Sequence, residues 1–217
     1  MRREKYYSSE NAMQKSGEWS KLCKSAKKHA PYQFVPCESA LLILDMQNFF
    51  VSPDSHAFVP SAIEIIPNIR ILLEFFIQNH FPIVFTRHLS DLSERDLMNS
   101  WWRDQISLNE KKSDIINQLD TSLGEVLIKH QYSAFYNTNL HDLLMSNGIH
   151  QLVITGVLTH LCCESTAREA FMRGYQVFFP FDATITYNES LHIGSLQAIS
   201  HGFGICLPTQ ALITTTQ

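Results

Sequence analysis

A cysteine, a lysine and an aspartate each stand at the end of an apolar run, and together they have the composition of a nucleophilic site. The first lies in Ile154-Thr-Gly-Val-Leu-Thr-His-Leu-Cys162-Cys163-Glu-Ser-Thr-Ala-Arg-Glu-Ala-Phe171. The run Leu152–Ile154 stops at Thr155-Gly156, and a helical pattern opens at Cys162. A thiol at a helix N-terminus meets unpaired N–H groups and the positive end of the dipole, which favours a thiolate. In an open α/β sheet, ligands bind at that edge. A free cysteine is more often a small buried residue, and on this segment alone that alternative stays open.

Two further strand ends change the weighting. Ala40-Leu-Leu-Ile-Leu44 ends in Asp45, and Glu125-Val-Leu-Ile128 ends in Lys129. Alone, the aspartate reads as a turn or cap and the lysine as a solvated charge. As a trio on adjoining strand ends their roles are complementary. Lys129 would stabilise a thiolate or an oxyanion, and Asp45 would take the thiol proton and pass it to a leaving group. Cys162 is expected to be the reactive thiol and Cys163 the packed one, because helical neighbours are turned by about 100°.

The elements that must position these groups alternate. Runs at Ala40–Leu44, Pro82–Phe85, Val126–Ile128, Leu152–Ile154, Val177–Phe179 and Gly204–Cys206 read as strands. Helical patterns lie between them at Ile63–Ile77, Leu140–Met145, Cys162–Met172 and Ser190–Ser200, with Gly148, Gly174 and Gly202 placed as stops. Such alternation predicts an α/β fold with a parallel sheet covered on both faces. Residues 1–38 read as a polar, partly helical arm carrying Lys21, Lys24, Lys27 and Lys28, packed on the body or on a neighbour. The body is 39–217. The tryptophan-bearing stretch from His88 to Lys112 reads as a lid or pocket wall.

Bulk properties exclude several classes. The net charge of −4 offers no basic field for nucleic acid or an anionic membrane surface. No apolar run approaches the ~20 residues of a membrane span, and the basic N-terminus has no apolar segment of a secretory signal behind it. Five cysteines without a CxxC pair point to a reduced, cytoplasmic protein. Ten histidines without HxxxH or HExxH spacing give a metal no support, and no cofactor is implied.

From Ser39 to Leu212 the chain resembles the isochorismatase-like hydrolases, also called cysteine hydrolases. The residues that carry the resemblance are Leu44-Asp-Met-Gln-Asn-Phe-Phe50, Lys129-His-Gln-Tyr-Ser-Ala-Phe135, the segment Gly156–Phe171, and Phe181-Asp-Ala183. It implies a three-layer α/β/α sandwich with a six-stranded parallel sheet and a catalytic trio of Asp45, Lys129 and Cys162. It also implies a cis peptide at Val157–Leu158, which would bring the Leu158 and Cys162 amides together as an oxyanion hole. Gln47, His88, Arg95 and Trp102 follow as substrate contacts. Arg95, seven residues before Trp102, corresponds to an arginine that holds a substrate carboxylate.

The branch is read from departures. The Tyr132–Phe135 motif, the Ala167–Arg173 run and the arm resemble the true isochorismatases, which keep glycine at Cys162, glutamine at His88 and tyrosine at Leu158. The metal pattern of the nicotinamidase branch is broken at Thr86-Arg-His-Leu-Ser-Asp-Leu-Ser93. The favoured expectation is a metal-free cysteine hydrolase that cleaves an amide or carbamoyl C–N bond through an acyl-enzyme. The alternatives are an isochorismatase, with Asp45 as general acid toward a vinyl ether, and a non-catalytic binding module. The expected partners are a small-molecule substrate and further copies of the chain, as dimer or tetramer, with neither nucleic acid nor membrane.

Overall fold

A computed structural model describes residues 2–24, 32–91, 97–102 and 104–214. Lys27, Lys28 and Arg95 lie outside these. The chain opens with helix α1 (Ala12–Cys23), then β1 (Ser39–Leu44), the single turn α2 (Asn48–Val51), α3 (Ile66–Gln78) and β2 (Ile83–His88). A short helix α4 (Leu97–Trp101) precedes β3 (Glu125–Lys129), α5 (Leu140–Ser146) and β4 (Gln151–Val157). After β4 come α6 (Glu164–Met172), β5 (Gln176–Pro180), β6 (Thr184–Ile185), α7 (Glu189–Gly202), β7 (Ile205–Leu207) and α8 (Thr209–Thr214).

The sheet runs β3-β2-β1-β4-β5-β7, and every pair is parallel. Helices flank it, as the alternating pattern requires. Among the described residues it holds seven strands rather than six: β6 adds to β4 through Gly156↔Thr184 and Val157↔Ile185. Two residues are too short for an apolar run to reveal. The second strand also runs past Phe85, because Thr86, Arg87 and His88 continue to pair with Leu127, Ile128 and Lys129. Polar side chains at a strand's end do not stop its backbone from pairing.

β1 and β4 form the centre, and every residue of both is buried. Their ends touch at Leu44↔Gly156. Gly156 has φ +103°, and a Cβ there would stand 2.1 Å from the Leu44 carbonyl oxygen. Only glycine allows that approach, and it sits one residue before Asp45. Gly148 (φ +66°) and Gly174 (φ +91°) follow helices α5 and α6 as expected, whereas α7 runs through Gly202. At the sheet edge, Val126 and Ile128 of β3 are 43% and 42% exposed, so one face of that strand is uncovered by the described residues.

The arm packs on the body. Trp19 is buried against Tyr7, Phe181 and His192, with ring centroids 5.4, 5.9 and 4.6 Å away. Lys15 pairs with Glu189 at 2.8 Å, and the Tyr6 hydroxyl accepts from the Thr186 amide at 3.2 Å.

Candidate active site

The trio meets at the C-terminal edge of the sheet. Asp45 follows β1, Lys129 ends β3, and β2 lies between them. Two strand spacings are roughly 10 Å, a gap that a four-carbon lysine stem can reach across. Lys129 Nζ lies 2.8 Å from Asp45 Oδ2, with both side chains fully buried. It donates also to the Gln131 carbonyl at 2.8 Å and to Cys162 Sγ at 3.4 Å. All three ammonium donors therefore have acceptors.

β2 contributes the hinge of this arrangement. Thr86 Oγ1 donates to Asp45 Oδ1 at 2.6 Å and accepts from the Asp45 amide at 3.1 Å. Asp45 itself is held at φ +51°, a left-handed conformation in which aspartate is among the better tolerated residues. Such backbone settings cluster at functional sites.

Gln47 is spent on backbone groups. Its Oε1 accepts from the His88 amide at 2.9 Å, and its Nε2 donates to the His88 and Ser113 carbonyls at 3.0 and 2.8 Å. The side chain is fully buried, and its hydrogen bonds tie the end of β1 to the end of β2 and to the loop beyond. These bonds position the neighbouring backbone and do not support the expected substrate contact.

Cys162 sits in a single π-helical turn, Thr159–Cys163, which leads into α6. The helix thus begins one turn earlier, and wider, than the apolar pattern suggested. The turn is held from α7 and from the residue that follows β6. Thr159 Oγ1 lies 3.0 Å from His192 Nδ1, and His160 Nδ1 lies 2.6 Å from Thr186 Oγ1. Burial pushes the His192 imidazolium down to about 3, so this support is neutral. The Val157–Leu158 peptide that enters the turn is cis. Cys163 points the other way, its Sγ 3.9 Å from the Thr155 carbonyl, and has no exposure.

The charges differ from the simple expectation in one respect. Burial penalises the Asp45 carboxylate, but Lys129, His88 and Thr86 outweigh it and hold the carboxyl below the usual range. Burial likewise penalises the Lys129 ammonium, which Asp45 and Cys162 more than restore, so its pKa is raised. The Cys162 thiol, by contrast, is pushed up to about 12: burial dominates, Lys129 only partly offsets it, and Asp45 adds to it. Lys129 does not deliver a resting thiolate, because burial of the thiol outweighs its charge. The resting set is carboxylate, ammonium and thiol.

Cys162 opens onto a cavity of about 360 Å³, within the range of small-molecule sites. Its walls are mainly aromatic and aliphatic: Phe49 and Phe50 from α2, Met98 and Trp101 from α4, and Tyr132, Leu158, Leu161 and Tyr187. Among the expected contacts, His88 and Trp102 line it and Gln47 does not. Trp102 Nε1 donates to the Tyr132 hydroxyl at 2.8 Å and so closes the rim between the tryptophan-bearing stretch and the segment after β3. That stretch also supplies Ser90, Asp104 and Ile106, which makes it a pocket wall. Arg87 anchors its return, bonding the Ser113 and Leu108 carbonyls at 2.8 and 2.9 Å.

Sequence reasoning missed three lining groups of note. Tyr132 lay inside a quoted motif but was given no role. His56, paired with Asp104 at 2.6 Å, and Arg3 of the arm reach the cavity from segments with no catalytic pattern. Among the described residues no cluster of three or more His, Cys, Asp or Glu is arranged to hold a metal.

Comparison with known proteins agrees on one group. The family described as Isochorismatase domain matches residues 39–211. Nicotinamidase 3 of Arabidopsis thaliana is 36% identical over 170 residues, covering 76% of this chain and 82% of that protein. Enterobactin synthase component B of Escherichia coli is 32% identical over 185 residues, covering 84% of this chain and 65% of that protein. Among solved structures, a cysteine hydrolase from Pseudomonas syringae pv. phaseolicola has the same fold. Its TM-score is 0.81 at 23% identity, covering 85% of this chain and 94% of that one.

Proposed function

The chain belongs to the isochorismatase family of hydrolases, and we propose that within it this protein cleaves an amide or carbamoyl C–N bond of a small molecule by covalent catalysis through Cys162. The single observation that carries this is the Asp45–Lys129–Cys162 chain, 2.8 and 3.4 Å long, with its thiol end on the cavity wall. In the relative Nicotinamidase 3, an amidase name accompanies 36% identity, which favours the same bond type.

In this mechanism Asp45 removes the Cys162 proton as Sγ attacks the carbonyl carbon. A tetrahedral oxyanion forms beside the Leu158 and Cys162 amides, which donate to it. Asp45 returns the proton to the departing nitrogen, the C–N bond breaks, and a thioester remains. Water, deprotonated by Asp45, then attacks the thioester. The acid product leaves, and the proton goes back to Sγ. Lys129 holds Asp45 ionised and balances the negative charge as it moves between carboxylate and sulfur. The raised thiol pKa runs against the expectation that Lys129 lowers it, so the scheme requires deprotonation concerted with attack.

Vinyl-ether cleavage by Asp45 as general acid is the alternative within the family. It needs a protonated carboxyl, and the environment of Asp45 favours the ionised one. Incubation with a panel of amides and ureides, read by ammonia release and by intact mass, decides between them. An acyl adduct on Cys162 with release of ammonia is the expected result. Turnover of isochorismate by the Cys162→Ala protein at the wild-type rate would overturn it.

The same reading includes a homo-oligomer, supported by the exposed Val126 and Ile128 on edge strand β3, and testable by light scattering. It also includes a cytoplasmic location, supported by five free cysteines. No described helix is long and apolar enough to cross a membrane.

A further inference from the structure

Arg3 belongs to the arm, outside the matched family segment at 39–211, yet it lines the same cavity as Cys162. Its position is built rather than incidental. The backbone on either side is pinned to one short segment of the body. The Glu4 amide donates to the Tyr187 carbonyl at 2.9 Å, and Asn188 Nδ2 donates to the Arg2 carbonyl at 3.2 Å. Glu4 Oε1 also accepts from the Glu189 amide at 3.1 Å. The guanidinium rests 4.9 Å from the centroid of the Tyr187 ring, which is itself part of the cavity wall.

Among the described lining residues Arg3 is the one arginine. Asp104 of the lining pairs with His56, and Lys129 is neutralised by Asp45. No carboxylate among the described residues pairs with Arg3. A guanidinium over an aromatic face retains its planar fork of donors, and that fork matches a carboxylate. The remaining walls are mainly aromatic and aliphatic, with His56, His88, Ser90 and Asp104 as their polar members.

We infer that Arg3 is a specificity-determining residue, and that the substrate is an anionic amide or ureide whose carboxylate meets Arg3 while its apolar body lies among the aromatic walls. This deepens the C–N reading and rests on it for the words amide and ureide, but not for the anion contact. The reacting carbonyl sits at Cys162, the carboxylate at the arm, and the arm becomes part of the active site rather than a packing appendage.

Two measurements test this separately. The first is turnover of N-carbamoylphenylalanine against its methyl ester, compared in wild type, Arg3→Gln and Arg3→Lys. The expected result is a preference for the free acid that falls by roughly 10- to 100-fold in Arg3→Gln, mainly through KM, and is partly restored in Arg3→Lys. An unchanged ratio would overturn the inference. The second is calorimetric binding of benzoate and benzamide to the Cys162→Ala protein with and without Arg3→Gln. It needs no turnover. Benzoate binding that weakens selectively on loss of Arg3 supports the anion contact even if no ureide is hydrolysed, in which case the C–N reading alone falls. Equal weakening of both ligands, or of neither, removes Arg3 from recognition.

Discussion

Lys129 Nζ lies 2.8 Å from Asp45 Oδ2 with neither side chain exposed, although the two residues start two strands apart. A buried pair of this kind is costly to break from one side, because the survivor is left as an uncompensated charge. Lys129→Met is therefore expected to destabilise the fold by about 3–5 kcal/mol and to raise the Asp45 carboxyl pKa. Lys129→Met with Asp45→Asn should recover part of that loss, as a thermal-denaturation cycle would show. Both variants are expected to lose activity by at least about 100-fold. Additive destabilisation would mean that the pair is not energetically coupled.

The same pair sets a pH window for stability. Asp45 is depressed, so its contribution is complete above the unfolded carboxyl value near 3.9 and is lost as pH falls below that toward the folded value. Lys129 is raised, so its contribution is complete below about 10.4 and is lost as pH rises from there through the folded value. The midpoint of denaturation should be flat between these limits as far as this pair is concerned, and Lys129→Met should alter both shoulders.

Thiol labelling should follow exposure and burial rather than the strand-end pattern. Cys37 is exposed and is expected to react first with iodoacetamide. Cys162 should follow slowly, with a rate that rises about tenfold per pH unit through neutrality, since its thiol lies near 12. Cys163, with no exposure, should stay unmodified in the folded protein. Peptide mapping after timed labelling would show the order. Rapid labelling of Cys162 at pH 7 without substrate would contradict the protonated resting state.

Gln47→Leu separates positioning from substrate contact. It removes the partner of the His88 amide and of the His88 and Ser113 carbonyls at once, all at a fully buried site. Each buried group left unpaired costs about 1–3 kcal/mol. The expected outcome is a large fall in thermal stability. A rise in KM with unchanged stability would instead restore Gln47 as a substrate contact.

The strand ends were the legible part of this site. Asp45, Lys129 and Cys162 each interrupt an apolar run, and parallel strands must bring such ends to one edge, so convergence followed from pattern alone. The thiol's protonation state did not, because it depends first on how deeply the thiol is buried and then on the balance of Lys129 and Asp45 beside it. Gln47 misled for a related reason: its motif marks its place, not the direction of its amide. Arg3 and His56 gave no signal at all. Their approach to the cavity is decided by backbone contacts, such as Glu4 to Tyr187, between segments far apart in sequence. The same holds for β6, whose two residues are too few to leave a pattern and pair with the end of β4.

The two chemistries open to the family make opposite demands on one proton. If Asp45 is the base that activates Cys162, it must be ionised in the free enzyme. Activity should then hold through neutral pH and fall only as pH drops below about 4, because the carboxyl is held beneath its ordinary value of roughly 3.9. If Asp45 instead protonates a vinyl ether, the active form carries the proton, and kcat/KM should rise as pH falls toward that same value. Lys129 fixes the sign of this contrast, since it is the largest of the influences that keep the buried carboxylate charged. The acid limb of kcat/KM for a turned-over amide, measured down to about pH 4 with stability checked at each point, should therefore stay flat. A profile that climbs on acidification would assign Asp45 the role of acid and leave Cys162 outside the chemistry.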